Sequence, residues 1–162
     1  KICIVGKNGA GKTTLLKEIY KHLVKSKLKI GYMPQDYFDY LKDFETPISY
    51  LAKDRSKDEE TRVSNLLGSL NFSREEMERS LKSLSGGQKA KVFFAKMNMD
   101  GAEVLVLDEP TRNLSPLSQP EIIESLKAYK GAIIGVSHDK DFIEKVFDKV
   151  YELDYSGLRK IK

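Results

Sequence analysis

A single cysteine, Cys3, leaves no partner for an internal disulfide and no Cys/His set for zinc, which predicts a reducing, cytoplasmic setting. No apolar run approaches the roughly 18 residues that a membrane-spanning helix needs, so no direct membrane insertion is expected. An excess of one charge is also nearly absent: 28 Lys and Arg face 24 Asp and Glu, a net charge of +4. That balance permits an anionic partner without demanding one. No internal repeat is visible. What is present, 40% hydrophobic and 32% charged residues over 162 positions, suffices for one packed core. It excludes disordered, collagen-like and low-complexity classes, because too much of the chain can be buried.

Apolar spacing divides the chain. Lys1 to Val5 reads as a buried strand with no lead-in, which suggests a chain that continues upstream, and a glycine-rich turn follows at once. Leu15, Leu16, Ile19, Tyr20, Leu23 and Val24 recur with helical period, predicting a helix over 12–24. Lys29 to Met33 reads as a second strand, closed by Pro34. From Asp36 to Ser83 the texture is charged and helix-prone, with apolar stripes at Ile48, Tyr50 and Leu51 and at Val63, Leu66, Leu67 and Leu70. A helix is expected from Ser85 to about Asn98, a doubly buried strand at 104–107, and a helix near 121–129. A strand at 132–136, a helix at 140–147 and a strand at 149–153 complete the pattern. Strands alternating with helices predict an α/β fold of the P-loop NTPase class: a mostly parallel sheet covered on both faces, with an inserted helical subdomain. The expected boundaries are 1–38 and 84–162 for the core and 39–83 for the insertion.

Three strings carry chemistry. Gly6-Lys7-Asn8-Gly9-Ala10-Gly11-Lys12-Thr13 fits G-x-x-x-x-G-K-[ST] between a strand and a helix. Its glycines let backbone N–H groups converge on phosphate oxygens, and the helix start adds partial positive charge. Gly6, Asn8, Gly9, Ala10, Gly11, Lys12, Thr13 and Thr14 are therefore expected to cradle a nucleotide. Lys12 would bridge its β- and γ-phosphates, and the Thr13 hydroxyl would hold Mg²⁺. Val104-Leu105-Val106-Leu107-Asp108-Glu109 supplies the acidic half: Asp108 suits the magnesium shell, and Glu109 can polarise an attacking water. In Leu84-Ser85-Gly86-Gly87-Gln88, Ser85 reads as an N-cap and the glycines bare the backbone of a second helix start, a second anion site.

One nucleotide needs only one such cradle. LSGGQ resembles the signature of ABC ATPases, in which two domains pair head to tail and each ATP lies between one domain's P-loop and the other's signature. That resemblance spans essentially the whole chain and implies roles for further residues. Ser85, Gly86, Gly87 and Gln88 would contact the nucleotide of a second ABC domain. Gln35 matches the Q-loop glutamine beside Mg²⁺ and the attacking water. His138, in Ser137-His138-Asp139, matches the switch histidine at the γ-phosphate. The family's adenine-stacking aromatic lies upstream of the P-loop strand, so an N-terminal β-subdomain is expected to be at least partly absent here. Pro110-Thr111-Arg112-Asn113-Leu114-Ser115 resembles the P-T-N-H-L-D stretch of the ABC-F branch, but with Arg112, Asn113 and Ser115 replacing Asn, His and Asp. The last change puts coupling between paired sites in question.

The short lobe and the string Gly31-Tyr32-Met33-Pro34-Gln35 also resemble ABC-F proteins, in particular their C-terminal ATPase domain. This implies an ATPase acting with the ribosome and its rRNA. The alternatives are an ATP-binding subunit that docks on a membrane permease, and an ATP-gated module with little hydrolysis. Lys17, Lys21 and Lys25 share one helix face, which reads as a solvated surface or as a contact for RNA phosphates. Tyr32, Tyr37, Phe38 and Tyr40 are expected to form one aromatic cluster packing the lobe on the core.

Overall fold

The computed structural model describes residues 1–41 and 46–162. Its strands are β1 (Ile2–Val5), β2 (Ile30–Met33), β3 (Val104–Asp108), β4 (Ala132–Val136), β5 (Lys149–Asp154) and β6 (Gly157–Lys160). Its helices are α1 (Lys12–Leu23), α2 (Pro47–Leu51), α3 (Lys57–Ser69), α4 (Arg74–Glu78), α5 (Gly86–Met99), α6 (Gln119–Ala128) and α7 (Lys140–Val146), with 3-10 turns at Tyr37–Leu41 and Leu81–Ser83. The strands form one sheet in the order β2-β3-β4-β1-β5-β6. All neighbours pair in parallel except β5 and β6, which form an antiparallel hairpin.

Because successive side chains of a strand point to opposite faces, β3 feeds two cores. Leu105 and Leu107 join Cys3 and Ile133 in the larger cluster, beneath α5, α6 and α7. Val104 and Val106 join Ile4, Val136 and Leu16 in the smaller one, beneath α1. All five residues of β3 are buried, as expected for a central parallel strand. Leu51, Val63, Leu67, Met77 and Leu81, from the 39–83 stretch, belong to the same larger cluster as the sheet residues. Most of the described charged residues of that stretch are exposed.

Most expected elements occur within two residues of their sequence boundaries, which is the ordinary scatter of helix ends. Three features differ. Helix α4 is a short turn set by a capping box, with Ser73 accepting from Glu76 N and Glu76 accepting from Ser73 N, and it buries only Met77. Such a helix leaves no apolar period to read. Strand β6 is exposed along its whole length, so no burial pattern marks it. The aromatics do not form one cluster. Tyr37 is buried against Phe38 and Phe93, with ring centroids 4.5 and 5.3 Å away. Tyr32 stacks on Tyr20 at 4.5 Å on the other face of the sheet, and Tyr40 is exposed. Tyr37 and the partly buried Phe38 perform the expected lobe packing, whereas Tyr32 lies on the other face and Tyr40 points to solvent.

Leu107, fully buried at the end of β3, touches the larger core just before the acidic pair. Leu107→Ala should cost about 2–5 kcal/mol of stability in urea denaturation, the usual range for a core leucine. A loss below about 1 kcal/mol would mean that the site edge is not braced by this core.

Candidate functional site

The parallel strands end at one edge of the sheet, and every chemistry-bearing segment except Leu84–Gln88 follows or ends one of them. The glycine loop follows β1, Gln35 follows β2, Asp108 and Glu109 end β3, and Ser137 and His138 follow β4. They meet at a cleft of about 910 Å³, lined by Asn8, Gly9, Gly11, Lys12, Thr13, Thr14, Gln35, Glu109 and His138, with Thr111, Arg112, Gln119, Val136 and Asp139; Gly6, Ala10, Asp108 and Ser137 do not line it. Open α/β sheets commonly bind ligands at this position, outside the carboxyl ends of their strands.

The glycine loop delivers unsatisfied donors. Gly11 occupies the N-cap of α1 in the left-handed region (φ 91°) and offers no side-chain cap. The N–H groups of Lys12, Thr13 and Thr14 therefore have no partner among the described residues. By contrast, α3, α5 and α7 are capped by Ser56, Ser85 and Asp139. A helix start left open onto a cleft suits an anion, through its free N–H groups and its partial positive charge. Lys12 is 7% exposed, and its Nζ donates to the carbonyls of Gly6 (2.9 Å) and Lys7 (3.0 Å). An ammonium resting on neutral carbonyls can turn to phosphate oxygens without breaking an ion pair.

Thr13 Oγ1 donates to Asp108 Oδ1 across 3.3 Å. Thr13, Gln35 and Asp108 line a second cavity of about 570 Å³ that shares Thr13 and Gln35 with the cleft. A hydroxyl, an amide and a carboxylate form a hard oxygen set, suited to Mg²⁺ beside phosphate. Burial pushes the Asp108 carboxyl above its ordinary range, against the Thr13 hydrogen bond and the charges of Lys17 and Lys12. Lys17, expected on an open lysine stripe, also lines this cavity, and Lys21 is paired with Glu18 at 2.7 Å.

Glu109 holds a positive φ of 51°, unusual for a side-chain-bearing residue and a local cost of about 1–3 kcal/mol. Its N–H donates to Val136 O at 2.9 Å, so pairing with the end of β4 holds the turn. The carboxylate, 15% exposed, accepts from His138 N at 3.3 Å and stands 3.4 Å from His138 Nε2. Burial raises its pKa, and His138 opposes that shift. A carboxylate tuned upward in a cleft suits proton acceptance.

The signature residues lie elsewhere. Ser85 Oγ accepts from Gln88 N (3.3 Å), and Gln88 Oε1 accepts from Ser85 N (2.9 Å), so the expected N-cap is a full capping box. Gln88 Nε2 also donates to Glu76 at 2.5 Å. The Gly86 and Gly87 N–H groups remain unpartnered among the described residues. None of residues 85–88 lines the cleft. A Cβ on Gly86 would strike the carbonyl oxygen of Asn113, so the helix start packs directly on the segment that follows Glu109.

Sequence reasoning missed Thr111, Gln119 and Asp139 as cleft residues, and it named Arg112 only as a departure from pattern. The cap spacing of Asp139 ahead of α7 was a usable signal, whereas Gln119 reaches the cleft only through tertiary packing. Glu76, remote in sequence from the signature string it touches, left none.

Two outcomes follow from this geometry. A protonated carboxyl escapes the cost of burying charge, so Asp108 and Glu109 bind their protons more tightly in the folded state. The stability this confers is present below the unfolded carboxylate range and is lost as pH rises through the raised folded values. Glu109→Gln should therefore be at least as stable as wild type in urea at neutral pH, with the difference vanishing near about pH 4. A variant clearly weaker at neutral pH would mean that the His138 contact outweighs burial. Separately, Gly86→Ala should lose about 1–3 kcal/mol, because helix or loop must move to admit the methyl. An unchanged denaturation midpoint would deny the close approach.

Comparison with known proteins agrees with this arrangement. Residues 1–112 match the family described as ABC transporter. The chain is 34% identical over 170 residues to the human ATP-binding cassette sub-family F member 3, covering 100% of this chain and 24% of that protein. It is 33% identical over 173 residues to the probable ATP-binding protein YbiT of Escherichia coli O157:H7, covering 97% and 32%. The chain thus spans about a third of one relative and a quarter of the other. A bacterial ABC transporter cassette solved as a dimer shares the fold at TM-score 0.73 and 18% identity, covering 99% of this chain and 85% of that one. A putative metal-chelate type ABC transporter gives 0.77 at 18% identity, covering 99% and 71%. The chain belongs to the ABC transporter family, as an ATP-binding cassette like those of sub-family F proteins.

Proposed function

We propose that the chain binds Mg-ATP and hydrolyses it in a head-to-tail pair with a second ABC nucleotide-binding domain. One observation carries this reading: residues 85–88 present two unpartnered backbone N–H groups yet line no part of their own chain's cleft. A second phosphate-seeking helix start acquires a ligand when a second domain brings its nucleotide to it.

In that pair, Gly6, Asn8, Gly9, Ala10, Gly11 and Thr14 wrap the phosphates, and Lys12 turns from its carbonyls onto the β- and γ-phosphates. Thr13, Gln35 and Asp108 are the residues to hold Mg²⁺, which would neutralise phosphate charge. Glu109 accepts a proton from the water whose oxygen bonds to the γ-phosphorus, while the bond to the β–γ bridging oxygen breaks and its electrons stay on ADP. His138 orients the Glu109 carboxylate and faces the γ-phosphate. Ser85, Gly86, Gly87 and Gln88 close the partner's site. Residues 1–38 and 84–162 serve as the ATPase core and 39–83 as the inserted helical subdomain that leads into the signature string at 84–88. Terminal-phosphate contacts hold the pair closed, and hydrolysis releases it.

The sub-family F relatives support a cytoplasmic ribosome-associated factor as the setting. The second reading, an energy module on a membrane permease, is favoured by the family description and by the transporter cassettes that share the fold.

Lys12→Ala should weaken ATP binding by roughly 100-fold or more, as expected for a lost charge-assisted phosphate contact in a cleft. Glu109→Gln should still bind ATP but turn over about 10²–10⁴-fold more slowly; wild-type turnover would remove Glu109 from the general-base role. Co-sedimentation of the Glu109→Gln protein with ribosomes, with and without ATP, separates the settings. ATP-dependent pelleting is expected, and its absence from a protein that binds ATP would favour the permease.

A further inference from the structure

The cleft contains one fixed cation that the roles above leave unused. Of its described lining residues, only Lys12 and Arg112 carry a permanent positive charge. Lys12 belongs to the glycine loop. Arg112 also lines the cleft, three residues after Glu109.

Its backbone is held and its side chain is not. Arg112 N donates to Glu109 O at 3.1 Å, and Leu114 N donates to Thr111 O at 3.1 Å. Thr111 and Leu114, on either side, are 2% and 8% exposed, so the segment is anchored at both ends. The exposed guanidinium has no hydrogen-bond, ion-pair or ring partner among the described residues. The acidic groups nearby are already engaged: Asp139 accepts from Phe142 N at 3.1 Å, and Glu109 faces His138. Among the described residues no anion is paired with Arg112, although the cleft that it borders is suited to one.

We infer that Arg112 is a terminal-phosphate ligand acting within its own chain, which makes the cleft prefer a nucleoside triphosphate over a diphosphate. The inference rests on the nucleotide reading above. Free helix-start N–H groups hold the inner phosphates on the P-loop side, and the chain of phosphates runs from there towards Glu109 and His138. Arg112 lines the same cleft as Glu109 and its backbone N–H donates to the Glu109 carbonyl, so its planar fork can reach the phosphate that a diphosphate lacks. Two parallel N–H···O bonds to one phosphate are a geometry that guanidinium supplies and ammonium does not. The aspect of this chain that departs from the P-T-N-H-L-D pattern, arginine for asparagine, thereby adds a charge where the ligand's charge is greatest.

Calorimetric titration of the protein with Mg²⁺ and either ADP or the non-hydrolysable β,γ-imido analogue of ATP tests this. Arg112→Ala should weaken the triphosphate analogue by about 10- to 100-fold, the range for losing a charged hydrogen-bond pair, with ADP unchanged within about twofold. Arg112→Lys, which keeps the charge without the fork, should recover part of the loss. Equal weakening of both nucleotides by Arg112→Ala, or no weakening of either, overturns the inference while leaving the nucleotide site intact. A wild-type protein that binds neither nucleotide overturns the nucleotide reading, and Arg112's role falls with it. Since Arg112 is exposed, a thermal unfolding curve matching wild type is expected for both variants, and it separates a lost contact from a lost fold.

Discussion

The site depends on the hydrogen-bonded register of three strands. Ile4 lies level with Val136 across the β1–β4 pair, and Val136 lies level with Asp108 across the β4–β3 pair. The residues that follow, Gly6 one step beyond Val5, Ser137 and Glu109, therefore leave the sheet together at one edge. A slip of a single residue in β3 would turn its side chains over, sending Val104 and Val106 to the face that Leu105 and Leu107 fill. The apolar cores beneath α1 and α5 enforce the register, and through it they hold the acidic pair against the glycine loop.

At that edge the energetics invert. Lys12, Asp108, Thr111 and Ser137 are buried polar side chains in a region where burial normally excludes charge. Asp108 is stabilised by the Thr13 hydroxyl and by two lysines, yet burial still raises its pKa. Glu109 adds backbone strain at a positive φ. The uncapped start of α1 lies in the same place, although the folding chain readily caps α3, α5 and α7. Desolvated charge, strain and open donors all concentrate in one cleft, which is where a phosphate-rich, metal-bearing ligand would offset each of them.

The segment from Glu109 to Ser118 joins the cleft to the start of α5. Its first residues, Glu109, Thr111 and Arg112, border the cleft, and Asn113 and Ser118 press against Gly86 and Gly87. No side chain beyond hydrogen fits between this segment and the start of α5 without movement. Ser115 Oγ lies 3.0 Å from Ser118 Oγ, so the residue replacing the family's aspartate closes a local turn instead of presenting a charge. A displacement at the cleft would thus reach the signature helix through packed backbone.

Locally encoded features were legible in the sequence for physical reasons. The α1 and α5 helices have an apolar period or a cap, β3 is a continuous apolar run, and the G-x-x-x-x-G-K-T string encodes its own open helix start. These place Lys12, Thr13, Asp108 and Glu109 without any knowledge of the partner strands. Tertiary structure alone decided the rest. The sheet order brought His138 within 3.4 Å of Glu109, because β4 lies between β3 and β1. Packing divided the aromatic cluster, drew Lys17 into the cavity beside Asp108, and set Glu76 on Gln88. It also placed Arg112, which has no side-chain partner among the described residues, in the lining of the cleft. Hydrogen bonds and charge interactions between residues distant in sequence leave no periodic trace, so only the folded chain reveals them.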